Sequence, residues 1–146
     1  MRIGIPREIK NHEYRVAATP DSVRELVAHG HTVLVERQAG AGVGLSDAAY
    51  QAAGATLLDT PEAVFTGAEL LLKVKEPQPH ECRLLRPDQV LFTYLHLAAD
   101  PEQAQLLQAS GVTAIAYETV TSASGGLPLL APMSEVAGRM AVQAGA

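Results

Sequence analysis

Apolar positions along the chain fall into short runs that alternate with helix-like segments. Six runs rich in Val, Ile and Leu have the length of strands, and they lie at 2–5, 32–36, 55–58, 69–74, 90–95 and 112–118. These runs are too apolar for a sheet with one face in water. They are typical of parallel strands that are covered on both sides.

The segments between the runs begin with one shared device: a capping side chain, then proline, then an acidic residue. It occurs at Thr19-Pro20-Asp21, Thr60-Pro61-Glu62 and Asp100-Pro101-Glu102, and each part favours the first turn of a helix. Gly30 and Gly111 predict where the first and last of these helices end. Strands alternating with such helices predict βαβ units, and therefore an α/β fold with a parallel sheet.

The last segment, SEVAGRMAVQAGA, carries a helical stripe of apolar residues. Ser134 is predicted to cap this helix, so we divide the chain into a domain at 1–133 and the start of a helix at 134–146. The stripe is still in register at the final residue, although Gly145 could end a helix. We therefore expect the chain to be part of a longer one, with a natural end as the alternative.

Composition and charge narrow the classes of protein to which this chain can belong. Charged residues make up 18% of the chain and the net charge is −5, which argues against a nucleic-acid surface, since such surfaces cluster Lys and Arg. No apolar stretch approaches the roughly 20 residues that span a bilayer, and the N-terminus lacks the apolar region of a secretion signal. The single cysteine, Cys82, excludes an internal disulfide and fits a reducing cytoplasm, where we expect it as a surface or half-buried thiol.

A glycine-rich stretch at 40–44, GAGVG, follows an apolar run and suggests a dinucleotide-binding loop. Its spacing contradicts that interpretation, because the G-x-G-x-x-G pattern needs a further glycine where Leu45 or Asp47 stands. Asp47 would also place a negative charge where a phosphate should bind. A flexible turn capped by Ser46 is the favoured interpretation, and the chain has no Walker-type phosphate loop.

Three polar side chains follow strands of the predicted sheet, at the edge where parallel sheets bind ligands. Arg15 lies in the long connection after the first run, Lys75 follows the fourth run, and His96 follows the fifth. Arg15 offers a planar fork for a carboxylate, and Lys75 offers a point charge for a carboxylate or a carbonyl. His96 can move a proton near neutral pH.

Each of these residues also has an ordinary interpretation. The arginine could simply pair with Glu13 or Glu8, and the lysine could reach water from a strand end, with Lys73 as its competitor for any role. The histidine could be packed and bonded to backbone. Taken together, two cations and a proton shuttle suit a small 2-oxo acid and form half of a hydride-transfer site, whose hydride carrier has no fingerprint here. No pair of histidines has metal-ligand spacing, so no metal site is predicted.

Five blocks of the sequence closely resemble the N-terminal part of bacterial alanine dehydrogenases, in the same order and over nearly the whole chain. They are MRIGIPREIKNHEYRVAATP, LLLKVKEP, LFTYLHLAAD, AYETV and PLLAPMSEVAGRMAVQAGA. The alpha subunit of proton-translocating nicotinamide nucleotide transhydrogenase shares the RIGIPRE and RVAATP blocks. That family lacks the histidine matching His96, so His96 favours the dehydrogenase.

The resemblance implies a role for each candidate residue. Arg15 and Lys75 match contacts to the substrate carboxylate and carbonyl, His96 matches a proton donor and acceptor, and Ser134 matches a residue that touches the nicotinamide cofactor. Three more residues of the matching blocks are expected near the pocket with weaker claims: Tyr94, Met133 and Glu118.

The resemblance also implies the fold and the activity. We expect a flavodoxin-like parallel sheet flanked by helices, with an interdomain helix leading to a Rossmann domain that is absent from this chain. The expected reaction converts L-alanine, NAD and water into pyruvate, ammonium and NADH in a cytoplasmic homo-oligomer, a hexamer at full length, with the fragment alone inactive. The alternatives are a stand-alone small-acid binding or regulatory module and a fragment of a transhydrogenase alpha subunit.

Overall fold

The apolar runs pair side by side in one parallel sheet. In the computed structural model, which describes residues 1–146, the strands are β1 Arg2–Ile5, β2 Thr32–Glu36, β3 Thr56–Leu58, β4 Leu70–Leu72, β5 Val90–Thr93 and β6 Thr113–Ala116. All five pairings between neighbouring strands are parallel. The predicted α/β fold with a parallel sheet flanked by helices is therefore confirmed.

The strand order adds detail that the sequence did not provide. The order is β3-β2-β1-β4-β5-β6, which is the doubly wound order 3-2-1-4-5-6, whereas a flavodoxin-like sheet has the order 2-1-3-4-5. Both orders are built from the same right-handed βαβ units, so the run pattern cannot separate them. Here the order reverses between β1 and β4, and a doubly wound sheet binds its ligand outside the carboxyl ends of the strands at such a point.

The six α-helices are α1 Pro20–Ala28, α2 Asp47–Ala52, α3 Pro61–Gly67, α4 Pro79–Cys82, α5 Pro101–Ser110 and α6 Ala131–Gly145. Three of them, α1, α3 and α5, begin at the capping devices that the sequence shows. Thr19, Thr60 and Asp100 each accept a hydrogen bond from the backbone N–H three residues later, at 3.3, 3.3 and 3.0 Å. Such caps satisfy N–H groups that have no partner inside the helix. The short α4 was not predicted.

The predicted start of the last helix at Ser134 is wrong. Helix α6 begins at Ala131, with Leu130 as its N-cap residue. Pro132 occupies the first turn, where its missing N–H removes no helical hydrogen bond, so the helix can start three residues before Ser134. No residue of α6 is buried. The division of the chain into two domains stays a prediction.

Two apolar clusters lie between the sheet and its helices. One surrounds β4 and β5 and includes Phe65 and Leu91, and the other surrounds β1 and β2 and includes Val35 and Tyr50. Cys82 belongs to the first cluster and is only 3% exposed, so the expected surface or half-buried thiol is a buried one, and burial raises its pKa to about 11. No helix is long and apolar enough to cross a membrane.

Candidate active site

The three predicted residues follow three strands that are neighbours in the sheet. Arg15 lies between β1 and α1, Lys75 lies three residues after the end of β4, and His96 lies three residues after the end of β5. Because β1, β4 and β5 are adjacent and parallel, their carboxyl ends meet at one edge of the sheet. The hydroxyl of Thr93, at the end of β5, donates to the carbonyl of Lys75 at 2.8 Å and ties two of these segments together.

A cleft of about 420 Å³ opens at this edge, next to the point where the strand order reverses. Its lining is mostly apolar and includes Arg15, Val74, Tyr94, Tyr117 and Met133. Mostly apolar pockets with a few placed polar groups are typical of sites for small molecules. Arg15 therefore provides a charged group at the wall of a small apolar cleft.

Arg15 is paired with Glu13, which was one of the ordinary interpretations. Its Nε and Nη2 atoms donate to the two carboxylate oxygens of Glu13 at 2.8 and 2.5 Å. The remaining nitrogen, Nη1, contacts the sulfur of Met133 at 3.4 Å and has no carboxylate partner. Glu13 thus holds the guanidinium in place while one N–H edge remains free to bind an anion. The hydrogen bonds from Arg15 are also the main reason why the pKa of Glu13 is lowered.

Lys73, the competitor of Lys75, is fully engaged inside the protein. Its ammonium lies 2.8 Å from Glu81 and 3.2 Å from Glu8, and all three side chains are at most 3% exposed. Burial disfavours the charged lysine, but the two carboxylates outweigh it and raise the pKa of Lys73. Glu8 also accepts the backbone N–H of Val74 at 2.7 Å. Lys73 therefore fixes the end of β4 and has no free charge for a substrate.

Lys75 is half-buried and directly follows Val74, a residue that lines the cleft. It lies close enough to Glu13 for its charge to add to the lowering of the Glu13 pKa, after the larger contribution of Arg15. Glu13 is therefore near both predicted substrate cations. Of the predicted residues, only Arg15 lines the cleft itself; Lys75 and His96 lie next to lining residues, and the paired Lys73 is also part of the wall.

His96 sits in a backbone conformation that is uncommon for residues other than glycine. Its φ is 51°, in the left-handed region, which non-glycine residues populate mainly where the surroundings enforce it. Glu118 does so by accepting the N–H groups of Leu95 at 3.1 Å and His96 at 2.7 Å. The imidazole is half exposed, and its centroid lies 6.0 Å from that of Tyr94 in the cleft wall. His96 is thus not a packed histidine.

Sequence reasoning missed Glu76, Lys10 and Tyr117. The carboxylate of Glu76 contacts the ammonium of Lys10 and lies 3.7 Å from Nδ1 of His96. Tyr117 packs edge-on against Tyr94, with 5.0 Å between ring centroids, and burial raises its pKa. The available signal for Glu76 was its position directly after Lys75 at the ligand-binding edge. Lys10 and Tyr117 had none, because their contacts depend on distant parts of the chain.

The glycine-rich stretch contributes Val43 to the cleft, and the predicted cofactor contact follows Met133, another lining residue. Ser134 is exposed on α6, next to Met133, which touches Arg15. The stretch at 40–44 forms a single 3₁₀ turn at Ala41–Val43, and Ser46 caps the helix after it by accepting the N–H of Ala49 at 3.2 Å, as predicted. Asp47 lies in the first turn of that helix, where it accepts the N–H of Gln38 at 2.8 Å. Its negative charge makes the turn unsuited to a phosphate.

Comparisons with known proteins agree with one another. The family model for the alanine dehydrogenase/PNT N-terminal domain matches residues 4–137. Alanine dehydrogenases from Halomonas elongata and Bacillus subtilis are 60% and 59% identical over the whole chain. The chain spans only about two fifths of these relatives, namely 39% and 38% of their lengths.

Solved structures give the same picture. A structure of L-alanine dehydrogenase superimposes with a TM-score of 0.95 at 53% identity, covering 100% of this chain and 40% of that one. A transhydrogenase from Sinorhizobium meliloti reaches a TM-score of 0.75 at 30% identity, covering 81% of this chain and 35% of that one. The likeness to the dehydrogenase is the greater in both fold and sequence.

Proposed function

Since the chain belongs to the alanine dehydrogenase/PNT N-terminal domain family, we propose that it forms the substrate-binding part of an NAD-dependent L-alanine dehydrogenase. The reaction would convert L-alanine, NAD and water into pyruvate, ammonium and NADH. The observation that carries the proposal is the arrangement of Arg15, Lys75 and His96 after three adjacent parallel strands, at the sheet edge where a small apolar cleft lined by Arg15 opens.

Arg15 and Lys75 would bind the substrate carboxylate and polarise its carbonyl or imine. Nη1 of Arg15 is free of carboxylate partners, while Glu13 holds the other two nitrogens, so the arginine is positioned before the substrate arrives. Such preorganisation lowers the entropy cost of binding. The apolar lining contributed by Val74 and Tyr94 suits the methyl group of alanine or pyruvate.

His96 would move protons between the imine and pyruvate. As water adds to the imine, His96 accepts one of its protons and then returns it to the amine nitrogen of the carbinolamine. It next accepts the hydroxyl proton as the C–N bond breaks, so that ammonia leaves and pyruvate remains. A half-exposed imidazole beside the cleft wall can exchange that proton with water.

A bound NAD would supply the hydride acceptor that oxidation of alanine at Cα requires. Within these 146 residues, Ser134 is the one we propose to touch the cofactor, because it lies on the exposed face of α6 beside Met133. The turn at 40–44 does not fit the pyrophosphate, since Asp47 places a carboxylate at the following helix. We therefore propose that most contacts to NAD come from another domain. The family resemblance further leads us to propose that the full-length enzyme is a homo-oligomer, namely a hexamer.

The experiment that tests this function is steady-state NADH formation from L-alanine by the full-length enzyme. Replacing His96→Ala should lower kcat by about 10²–10⁴-fold, the usual contribution of a positioned acid–base group. His80→Ala is the matched control, because His80 is an exposed histidine on α4, and it should leave kcat unchanged. Absence of alanine oxidation by the wild-type enzyme, or near-normal turnover by His96→Ala, would contradict the proposal.

A further inference from the structure

We propose that Glu76 is a positioning residue for His96, whose imidazole it fixes in the Nδ1–H tautomer with Nε2 left free to accept a proton from the substrate. The catalytic consequence rests on the proposed function. The tautomer itself follows from the contacts of Glu76 and can be measured without any turnover.

The first observation is a buried carboxylate oxygen without a hydrogen-bond partner. Oε1 of Glu76 contacts the ammonium of Lys10, whereas Oε2 is buried and accepts no hydrogen bond. Buried polar atoms nearly always have a partner. The polar group that faces Oε2 is Nδ1 of His96, at 3.7 Å.

The distance between Nδ1 of His96 and Oε2 of Glu76 is only slightly too long for a hydrogen bond, and the imidazole can move to shorten it. A hydrogen bond between these atoms would need about 2.9 Å, which is roughly 0.8 Å less than the present separation. The backbone of His96 is held by Glu118, but its side chain is 51% exposed and can rotate. Catalytic hydrogen bonds are often long until the substrate binds.

The charge state of Glu76 determines which ring nitrogen of neutral His96 carries the proton. Burial opposes ionisation of Glu76, but the hydrogen bond from Lys10, a backbone hydrogen bond and the charges of Lys10 and Lys75 outweigh it and lower its pKa. An ionised carboxylate can only accept hydrogen bonds, so Nδ1 of neutral His96 must carry the proton. The lone pair is then on Nε2, on the side of the ring away from Glu76.

The direct test is the ¹⁵N NMR spectrum of the imidazole of His96 in this chain, recorded where the ring is neutral. The wild type should show a protonated Nδ1 and an unprotonated Nε2. In Glu76→Gln, Lys10 still needs an acceptor, so the amide oxygen should face Lys10 and the NH₂ group should face His96. Because NH₂ can only donate, the tautomer should invert to Nε2–H.

The matched control is Glu62→Gln, which removes a carboxylate beside a different histidine, His80. Glu62 lies 3.4 Å from His80 on the surface, so Glu62→Gln should leave the His96 signals unchanged. An Nε2–H tautomer of His96 in the wild type, or an Nδ1–H tautomer that persists in Glu76→Gln, would overturn the proposal. Circular dichroism of Glu76→Gln, with Glu76→Asp as a second variant, checks that the chain remains folded.

Turnover by the full-length enzyme separates positioning from substrate binding. Glu76→Gln should lower kcat by about 10²-fold, the low end of what an acid–base group contributes, with KM for pyruvate nearly unchanged. Glu76→Asp keeps the carboxylate and should recover part of the loss. A raised KM with normal kcat would mean that Glu76 acts on the substrate-binding cations instead. A wild-type enzyme without alanine turnover would refute the proposed function, while the NMR result would still decide the tautomer.

Discussion

Replacing Lys73→Met should destabilise the protein strongly at neutral pH, because it leaves two buried carboxylates without their positively charged partner. Lys73 is the shared partner of Glu8 and Glu81, which reach it from the connection after β1 and from α4. Methionine keeps an unbranched apolar chain of similar length, so the core stays filled. What the substitution removes is the positive charge between two acids that are each only 3% exposed.

The size of the effect follows from the distances. At an effective dielectric constant of about 20, unit charges at the observed 2.8 and 3.2 Å attract by about 6 and 5 kcal/mol. The cost of taking three charges out of water offsets most of this attraction in the wild type. Removing one partner of a buried pair leaves that cost uncompensated, so we expect a loss of about 3–5 kcal/mol. This is a large part of the 5–15 kcal/mol that usually stabilises a folded domain.

The loss should depend on pH through Glu8. Burial raises the pKa of Glu8 above its ordinary value, and Lys73 is the main group that opposes this rise. Without Lys73 the folded-state pKa should rise further. A carboxyl whose pKa is higher in the folded state favours folding at low pH, and this contribution is lost as pH rises through the folded-state pKa. The deficit of Lys73→Met should therefore be larger at about pH 7 than at about pH 5.

Urea unfolding of the 146-residue chain at both pH values measures these free energies. Arg24→Ala is the control, because the pair between Arg24 and Asp21 is 61% and 87% exposed and such surface pairs contribute at most about 1 kcal/mol. Converting Glu8→Gln and Glu81→Gln together with Lys73→Met should recover part of the loss. A deficit below about 1 kcal/mol, with no dependence on pH, would refute the buried charge network as a stabilising unit.

Three further predictions concern turnover and stability. In the full-length enzyme, Lys75→Ala should mainly raise KM for pyruvate and His96→Ala should mainly lower kcat, since a fixed charge acts in the ground state and a proton moves only during reaction; equal effects on both parameters would contradict these roles. The 146-residue chain by itself should be folded by circular dichroism but form no NADH from alanine; steady NADH production by chain free of host enzyme would contradict this. Tyr50→Phe removes a buried hydrogen bond of 2.8 Å to the carbonyl of Ala18 and should cost about 1–3 kcal/mol in urea unfolding; no measurable change would mean that water replaces the hydroxyl.

The sequence predicted the fold well because local chemistry determines it. Each proline-marked helix start at Pro20, Pro61 and Pro101 appears in the structure at that residue, since the caps that favour it are neighbours in the chain. The strand order was beyond the sequence, because it depends on which runs pair at long range. The start of α6 was misplaced because Ser134 is a good cap by residue type, while Pro132 allows an earlier first turn.

The candidate site was partly predictable for the same reason. Arg15, Lys75 and His96 could be proposed from their positions after apolar runs, and the structure puts them at the carboxyl ends of adjacent strands. The contacts that position the site could not be predicted from the sequence. The contact of Lys10 with Glu76 and that of Glu118 with the backbone of His96 join residues 66 and 22 positions apart, and only the folded chain brings them together.

A crystal structure of the full-length enzyme with pyruvate tests the central claim most directly. We expect the pyruvate carboxylate within hydrogen-bond distance of Arg15 and Lys75, its carbonyl oxygen next to Nε2 of His96, and its methyl group against the apolar wall formed by Val74 and Tyr94. Pyruvate bound away from this cleft, or bound in it with His96 out of reach of the carbonyl, would contradict the account.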